Sequence, residues 1–286
     1  MIDQATALRK LAEERVTIRK TAAVEADVKI IAVTSGHDKV GKSYVAVNLA
    51  NTLLDEGKSI RFIDAGNDKD NAHDLLGVSL GPSFKNILNK KMKSNQVWQK
   101  ISDKMHILNA NNMINQKSGV DYSIALNIID EAINSSQAGD IIIIDTPSLM
   151  SESLMPLLGV ADELILVTTP EASSVTDSYA ALKMIFNNFS DAKICLVANK
   201  CISISQAEGI IKRLDDICRK FLNMSFNSYE YIFEINTSKQ NRNFDTLIKD
   251  NIKQLSGNVW INNLASNIEL RLNLANMQNE QVVNAH

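Results

Sequence analysis

Cysteine is scarce in this 286-residue chain: Cys195, Cys201 and Cys218 are the only three, and no C-x-x-C pair joins them. That excludes a disulfide scaffold or a thiolate metal cluster and reads as buried or incidental thiols of a reducing compartment. Long apolar runs are missing too, since no stretch approaches the roughly 20 residues of a membrane span. The amino terminus is charged and helical, without the apolar core of a secretory signal, so the expected location is the cytoplasm. Positive charge is not in excess: 30 Lys and Arg against 33 Asp and Glu leave a net charge of −3. With a pI near 5.9, nucleic acid is not expected as the main partner.

What is present is the composition of a globular protein, 45% hydrophobic and 22% charged, without internal repeats or low-complexity tracts. Residues 2–20 form an amphipathic arm, with Ala5, Leu8, Leu11 and Ala12 on one face and Arg9, Lys10, Glu13 and Glu14 on the other. A helix this short needs a partner surface, either its own domain or another protein. Residues 21–28 read as a linker. From Lys29 onward β and α patterns alternate. Strands are expected at 29–34, 59–63, 105–109, 140–145, 163–168, 193–198 and 229–233, with helices at 42–56, 84–92, 119–136, 174–188 and 204–222. Runs such as Ile141-Ile142-Ile143-Ile144 suit strands buried on both faces. The fold class is therefore α/β: a doubly wound, mostly parallel sheet with helices on both faces, across residues 29–255. Residues 256–286 read as one helix and a frayed tail.

The stretch Gly36-His37-Asp38-Lys39-Val40-Gly41-Lys42-Ser43 organises the rest. It matches G-x-x-x-x-G-K-[ST] and lies between the apolar run Ile30–Val33 and a helical pattern from Tyr44. Backbone N–H groups of such a loop make an anion-binding nest at a helix N-terminus. Lys42 would neutralise phosphate charge, and the Ser43 hydroxyl would ligate Mg²⁺. Asp145 ends the isoleucine strand, where a carboxylate holds Mg²⁺ through water or, in the plainer reading, serves as a turn residue before Pro147. Asp64 ends another strand and opens a polar segment carrying Asp68, Asp70, His73 and Asp74. Asn199, after strand 193–198, has the groups to hydrogen-bond a purine edge.

Together with the loop, three further stretches resemble one family. They are Asp3-Gln4-Ala5-Thr6-Ala7-Leu8-Arg9, then Asp162-Glu163 with Thr168-Thr169-Pro170-Glu171, and Thr176-Asp177-Ser178-Tyr179-Ala180. Glu208-Gly209 and Arg219–Leu222 fit it as well. The chain resembles the MinD/ParA group of P-loop ATPases, and within it the flagellar-number regulators of the FlhG/FleN (YlxH) type. The resemblance implies ATP and Mg²⁺ as cofactors, a monomer–dimer cycle, and an arm (Asp3, Gln4, Ala5, Leu8, Arg9) that engages an FlhF-type GTPase. Contacts with flagellar basal-body or transcription components, and a peripheral place at the inner face of the membrane, follow from it too. On matching positions, Gly36, Gly41, Lys42 and Ser43 would hold phosphates, Ser43, Asp64 and Asp145 the metal, and Asn199 the adenine.

The departures from the family pattern are specific. The family loop reads K-G-G-x-G-K, and His37-Asp38-Lys39 stand at its first three positions. The family's D-x-D is Asp64-Ala65-Gly66, so the carboxylate that positions water is absent at Gly66. The T-G-A-G type segment is Thr146-Pro147-Ser148-Leu149, and the P-E-D adenine loop is Phe233-Glu234-Ile235. The expectation is weak nucleotide binding with little or no hydrolysis. The competing readings are an active membrane-cycling ATPase and a DNA-partition or metal-scaffold ATPase on the same fold. Around Leu264–Met277, Ile268, Leu270, Leu272 and Leu274 alternate with one cation, Arg271, so membrane contact is expected to be weak or indirect.

Overall fold

The computed structural model describes residues 4–66, 72–114, 120–148 and 150–234, with the side chains of 4–13, 120 and 121 outside that set. In chain order the elements are α1 (Gln4–Glu25), β1 (Lys29–Thr34), α2 (Lys42–Asp55), β2 (Ser59–Asp64) and the short helices α3 (Ala72–Leu75), α4 (Lys85–Leu88) and α5 (Ser94–Val97). There follow β3 (Trp98–Ser102), β4 (Met105–Asn109), α6 (Val120–Ser135), β5 (Asp140–Asp145), α7 (Met155–Gly159) and β6 (Glu163–Thr168). The last described elements are α8 (Ala172–Asn188), β7 (Ile194–Cys201), α9 (Ile204–Leu222) and β8 (Ser228–Phe233).

The strands form one sheet in the order β3-β4-β2-β5-β1-β6-β7-β8. Every pairing is parallel except β3 with β4. Central β1 lies between β5 and β6, so the chain winds away from it in both directions, and the carboxyl end of β1 is the switch point where such sheets bind ligands. The isoleucines of β5 show how the pattern builds the core. Ile142 and Ile144 join the cluster packed with Ala125, Leu182 and Leu214 of α6, α8 and α9. Ile141 and Ile143 join the opposite cluster, with Val45, Leu49 and Leu53 of α2. Strand alternation thus sends successive side chains into two cores, each burial worth about 1.5–3 kcal/mol.

The helix expected at 84–92 shortens to the single turn α4, which ends before a left-handed Lys90 (φ 55°), and two further expectations change. β3 was not expected as a strand. Beyond Trp98 its positions are half-buried or exposed and mostly polar, so its five residues carry no apolar run. Tertiary contacts hold it: Trp98 Nε1 donates to Glu131 of α6 at 2.9 Å, and the Arg61 guanidinium lies 5.6 Å from the ring centroid. Secondly, α1 runs on to Glu25, so residues 21–25 are helical rather than linker. Small residues there serve close packing: Val16 and Ala23 are buried, and Arg19 pairs with Asp130 of α6 at 2.6 Å. The second half of the arm therefore packs on its own domain. Asp3 and the side chains of Gln4, Ala5, Leu8 and Arg9 lie outside the described residues, as does everything after Glu234.

Candidate functional site

Between β1 and α2 the loop makes two left-handed turns, at Lys39 (φ 56°) and Gly41 (φ 92°). Glycine adopts the second without strain, and a Cβ on Gly41 would also lie 2.4 Å from Asn199 Nδ2, so any other residue there would displace the Asn199 amide. Lysine adopts the first at a cost of about 1–2 kcal/mol, a left-handed turn made here without glycine. Gly36 is packed so closely on α8 that a Cβ would stand 2.1 Å from the Asp177 carbonyl oxygen. The loop delivers the chain to the N-terminus of α2, whose free N–H groups favour an anion.

Side chains from one strand, β7, and one helix, α8, brace this loop. Asn199 Nδ2 donates to the Val40 carbonyl at 2.7 Å, and Lys200 Nζ donates to the Lys39 carbonyl at 2.8 Å. Both come from a bulge in β7, where the register with β8 shifts between Ala198 and Cys201 and Lys200 takes φ 58°. A bulge re-aims side chains, here toward the loop. The structure thus uses the Asn199 amide nitrogen on the loop itself. From α8, Asp177 reaches His37 Nδ1 at 2.7 Å. The start of α8 is fixed by a buried hydroxyl cluster: Ser174 accepts from the Thr169 N–H at 3.0 Å and Ser178 donates to Thr168 Oγ1 at 2.9 Å. The stretch from Thr168 to Ala180 therefore has a structural meaning, since it sets Asp177 against the loop.

Lys42 is buried, with its Nζ donating to Ser148 Oγ at 2.5 Å, beyond the end of β5. Asp64 and Asp145 end the adjacent strands β2 and β5 and are register partners, both fully buried. Asp64 Oδ2 accepts from His73 Nδ1 at 2.6 Å and from Asn111 Nδ2 at 3.3 Å. Its Oδ1 is buried without a hydrogen-bond partner among the described residues. The Cβ that Gly66 lacks would lie 3.5 Å from that Oδ1 and 3.9 Å from Asp145 Oδ2, so both carboxylates border one small space. Burial pushes the Tyr44 hydroxyl up to about 12, and the Cys201 and Cys218 thiols up to about 11.

These residues fit a magnesium–phosphate group. Gly36 and Gly41 keep the turns of the cradle, an uncompensated carboxylate oxygen is present at Asp64, and the donors are hard oxygens of the kind Mg²⁺ takes. Among the described residues no group of three or more His, Cys, Asp or Glu converges, so waters and phosphate oxygens would complete such a shell beside Ser43. Of the sequence-predicted residues, the structure gathers Gly36, Gly41, Lys42, Ser43, Asp64 and Asp145 at the loop and the adjacent strand ends. Asp177, Ser148, His73 and Asn111 were not predicted as site residues. Three of them come from elements distant in sequence, and only the loop's neighbours in space bring them in.

A cradle of this form at the switch point of a parallel sheet defines a P-loop nucleotide-binding protein. A profile of the ParA family, described as the NUBPL iron-transfer P-loop NTPase, matches residues 27–214, and the chain belongs to that family. It is 26% identical over 204 residues to the antiactivator FleN of Pseudomonas aeruginosa, covering 69% of this chain and 71% of FleN. It is also 26% identical over 196 residues to the flagellum site-determining protein YlxH of Helicobacter pylori, covering 68% of this chain and 65% of YlxH. Among solved structures, the septum site-determining protein MinD of Pyrococcus horikoshii, complexed with Mg-ADP, superposes with a TM-score of 0.55. That match covers 73% of this chain and 82% of MinD at 20% identity, a likeness of fold.

Proposed function

We propose that this chain is a regulator of flagellar number and placement that binds ATP and Mg²⁺ weakly and hydrolyses ATP little or not at all. Likeness to FleN and YlxH supports the flagellar role. The observation that carries the nucleotide half is the loop: Gly41, Lys42 and the paired Asp64 and Asp145 keep a phosphate and metal cradle, while residues 37–39 and 66 depart from it. Lys42 would meet phosphate charge, and Ser43, Asp64 and Asp145 would hold Mg²⁺, which supplies charge neutralisation when bound. His37 is tied to Asp177 of its own chain, and Gly66 brings no carboxylate to orient water. Both features oppose turnover, because phosphoryl transfer depends on positioning and charge stabilisation.

In this reading the arm, residues 1–20, engages an FlhF-type GTPase through Gln4 and Leu8. Basal-body or transcription components are further partners, and membrane contact is weak or indirect. No helix among the described residues is long and apolar enough to cross a membrane. The second reading, an ATP-switched MinD-like ATPase, is favoured by the intact carboxylate pair. One experiment separates the two: ATP binding and turnover are measured for wild type, for Lys42→Ala, and for the restored His37→Lys, Asp38→Gly, Lys39→Gly, Gly66→Asp protein. Wild type is expected to bind weakly, Lys42→Ala not at all, and the restored protein to gain on the order of 10³-fold in turnover. Wild-type turnover equal to that of the restored protein would establish the ATPase reading instead.

A further inference from the structure

His73 lies outside every motif described above, yet it is one of the best-placed polar side chains in the protein. It sits on α3, a single turn that packs against α2, and is fully buried. Its Nδ1 is 2.6 Å from Asp64 Oδ2. A carboxylate only accepts, so Nδ1 carries the hydrogen and the imidazole is fixed in orientation. Asn111, beyond the end of β4, donates to the same oxygen from 3.3 Å. Two donors from two elements thus converge on Oδ2. The other oxygen, Oδ1, is left without a hydrogen bond among the described residues, beside the space bordered by Gly66 and Asp145.

We propose that His73 is a positioning residue for the magnesium site: it holds Asp64 by one oxygen so that the other is presented to the ion. The inference rests on the nucleotide-and-magnesium reading above. Its physical basis is the general dependence of a carboxylate ligand on the group that bonds its far oxygen. An unheld carboxylate rotates about its terminal torsion and must be ordered when the ion arrives. Outer partners of this kind set metal affinity by roughly 10–100-fold. Held by α3, Asp64 is pre-ordered, and α3 is joined to the metal site through one hydrogen bond. His73 touches no phosphate in this role, so it affects nucleotide affinity only when the metal is present.

The test compares His73→Leu, which keeps bulk and removes the donor, with His73→Asn, whose amide nitrogen can take the place of Nδ1. ADP affinity is measured by calorimetry with Mg²⁺ and with chelator, and Mn²⁺ binding by electron paramagnetic resonance. Expected is a loss of roughly 10–100-fold in metal-dependent affinity for His73→Leu, unchanged ADP affinity in chelator, and recovery of most of the loss in His73→Asn. Unaltered metal dependence in His73→Leu, or equal loss in both variants, overturns the role and leaves His73 a packing residue. Should His73→Leu fail to fold, wild-type ¹⁵N spectra decide. The His73 Nδ1 resonance is expected to move with Mg-ADP and not with ADP alone, and no movement overturns the proposal. Wild-type protein with no metal-dependent ADP binding by either method would instead sink the underlying nucleotide reading, and this inference with it.

Discussion

The two halves of the loop between β1 and α2 are held by different means. Gly36 to Lys39 are fixed from outside: backbone packing on Asp177, the His37–Asp177 pair, and the Lys200 ammonium on the Lys39 carbonyl. Asp38 and Lys39 themselves are exposed. Val40 to Lys42 differ in burial, Val40 and Lys42 both lying inside the domain, where the Asn199 amide and the Ser148 hydroxyl also meet them. Residues 37–39 depart from the family's residue types, and neighbouring elements hold their path. The inner half keeps Gly41 and Lys42, because the φ of 92° at Gly41 is one that glycine alone adopts without strain. A motif can therefore lose its signature where the surroundings supply the geometry, and retains it where the residue supplies it.

The sharpest way to break this contrast is Gly36→Ala. The added methyl meets backbone rather than a movable side chain, so the variant is expected to lose roughly 3 kcal/mol, the upper end of overpacking costs. In a domain of this size that is a fall of about 6–12 °C in melting temperature, read by circular dichroism. A loss below about 1 kcal/mol would mean that α8 yields easily and the outer half is not fixed by it.

Next in size is Asn199→Ala. It removes the donor to the buried Val40 carbonyl and the acceptor of the Lys200 N–H, which is 2.9 Å away. Leaving these groups unpaired is expected to cost about 1–2 kcal/mol in chemical denaturation. Loss of ADP affinity with unchanged stability would assign Asn199 to the nucleotide instead of the loop. The smallest effect is expected from Lys39→Gly. Relief of left-handed strain, about 1–2 kcal/mol, is largely offset by the entropy glycine loses on folding, about 0.5–1 kcal/mol. A net gain below about 1 kcal/mol is expected, and a clear loss would show that the Lys39 side chain carries a contact of its own.

The sequence by itself determined the parallel strands of the sheet and the turn that opens α2. Buried strands such as β1, β5 and β6 write their burial as unbroken apolar runs, and the loop writes its left-handed turn as Gly41. Asp64 and Asp145 were legible because a carboxylate directly after such a run must stand at a strand end. What only the tertiary structure decided is which side chains meet there. Strand β3 is held by Trp98 and Arg61 across the sheet, not by its own pattern. His73 was visible only as one polar residue in a polar segment, and its burial against Asp64 depends on α3 packing on α2. Asp177 stood within a recognisable stretch, but nothing local says that a helix residue 140 positions from His37 faces it. Local sequence encodes burial and backbone path, because each depends on the residue's own chemistry. Contacts between elements depend on how those elements are stacked, and that is fixed only when the whole sheet has closed on its helices.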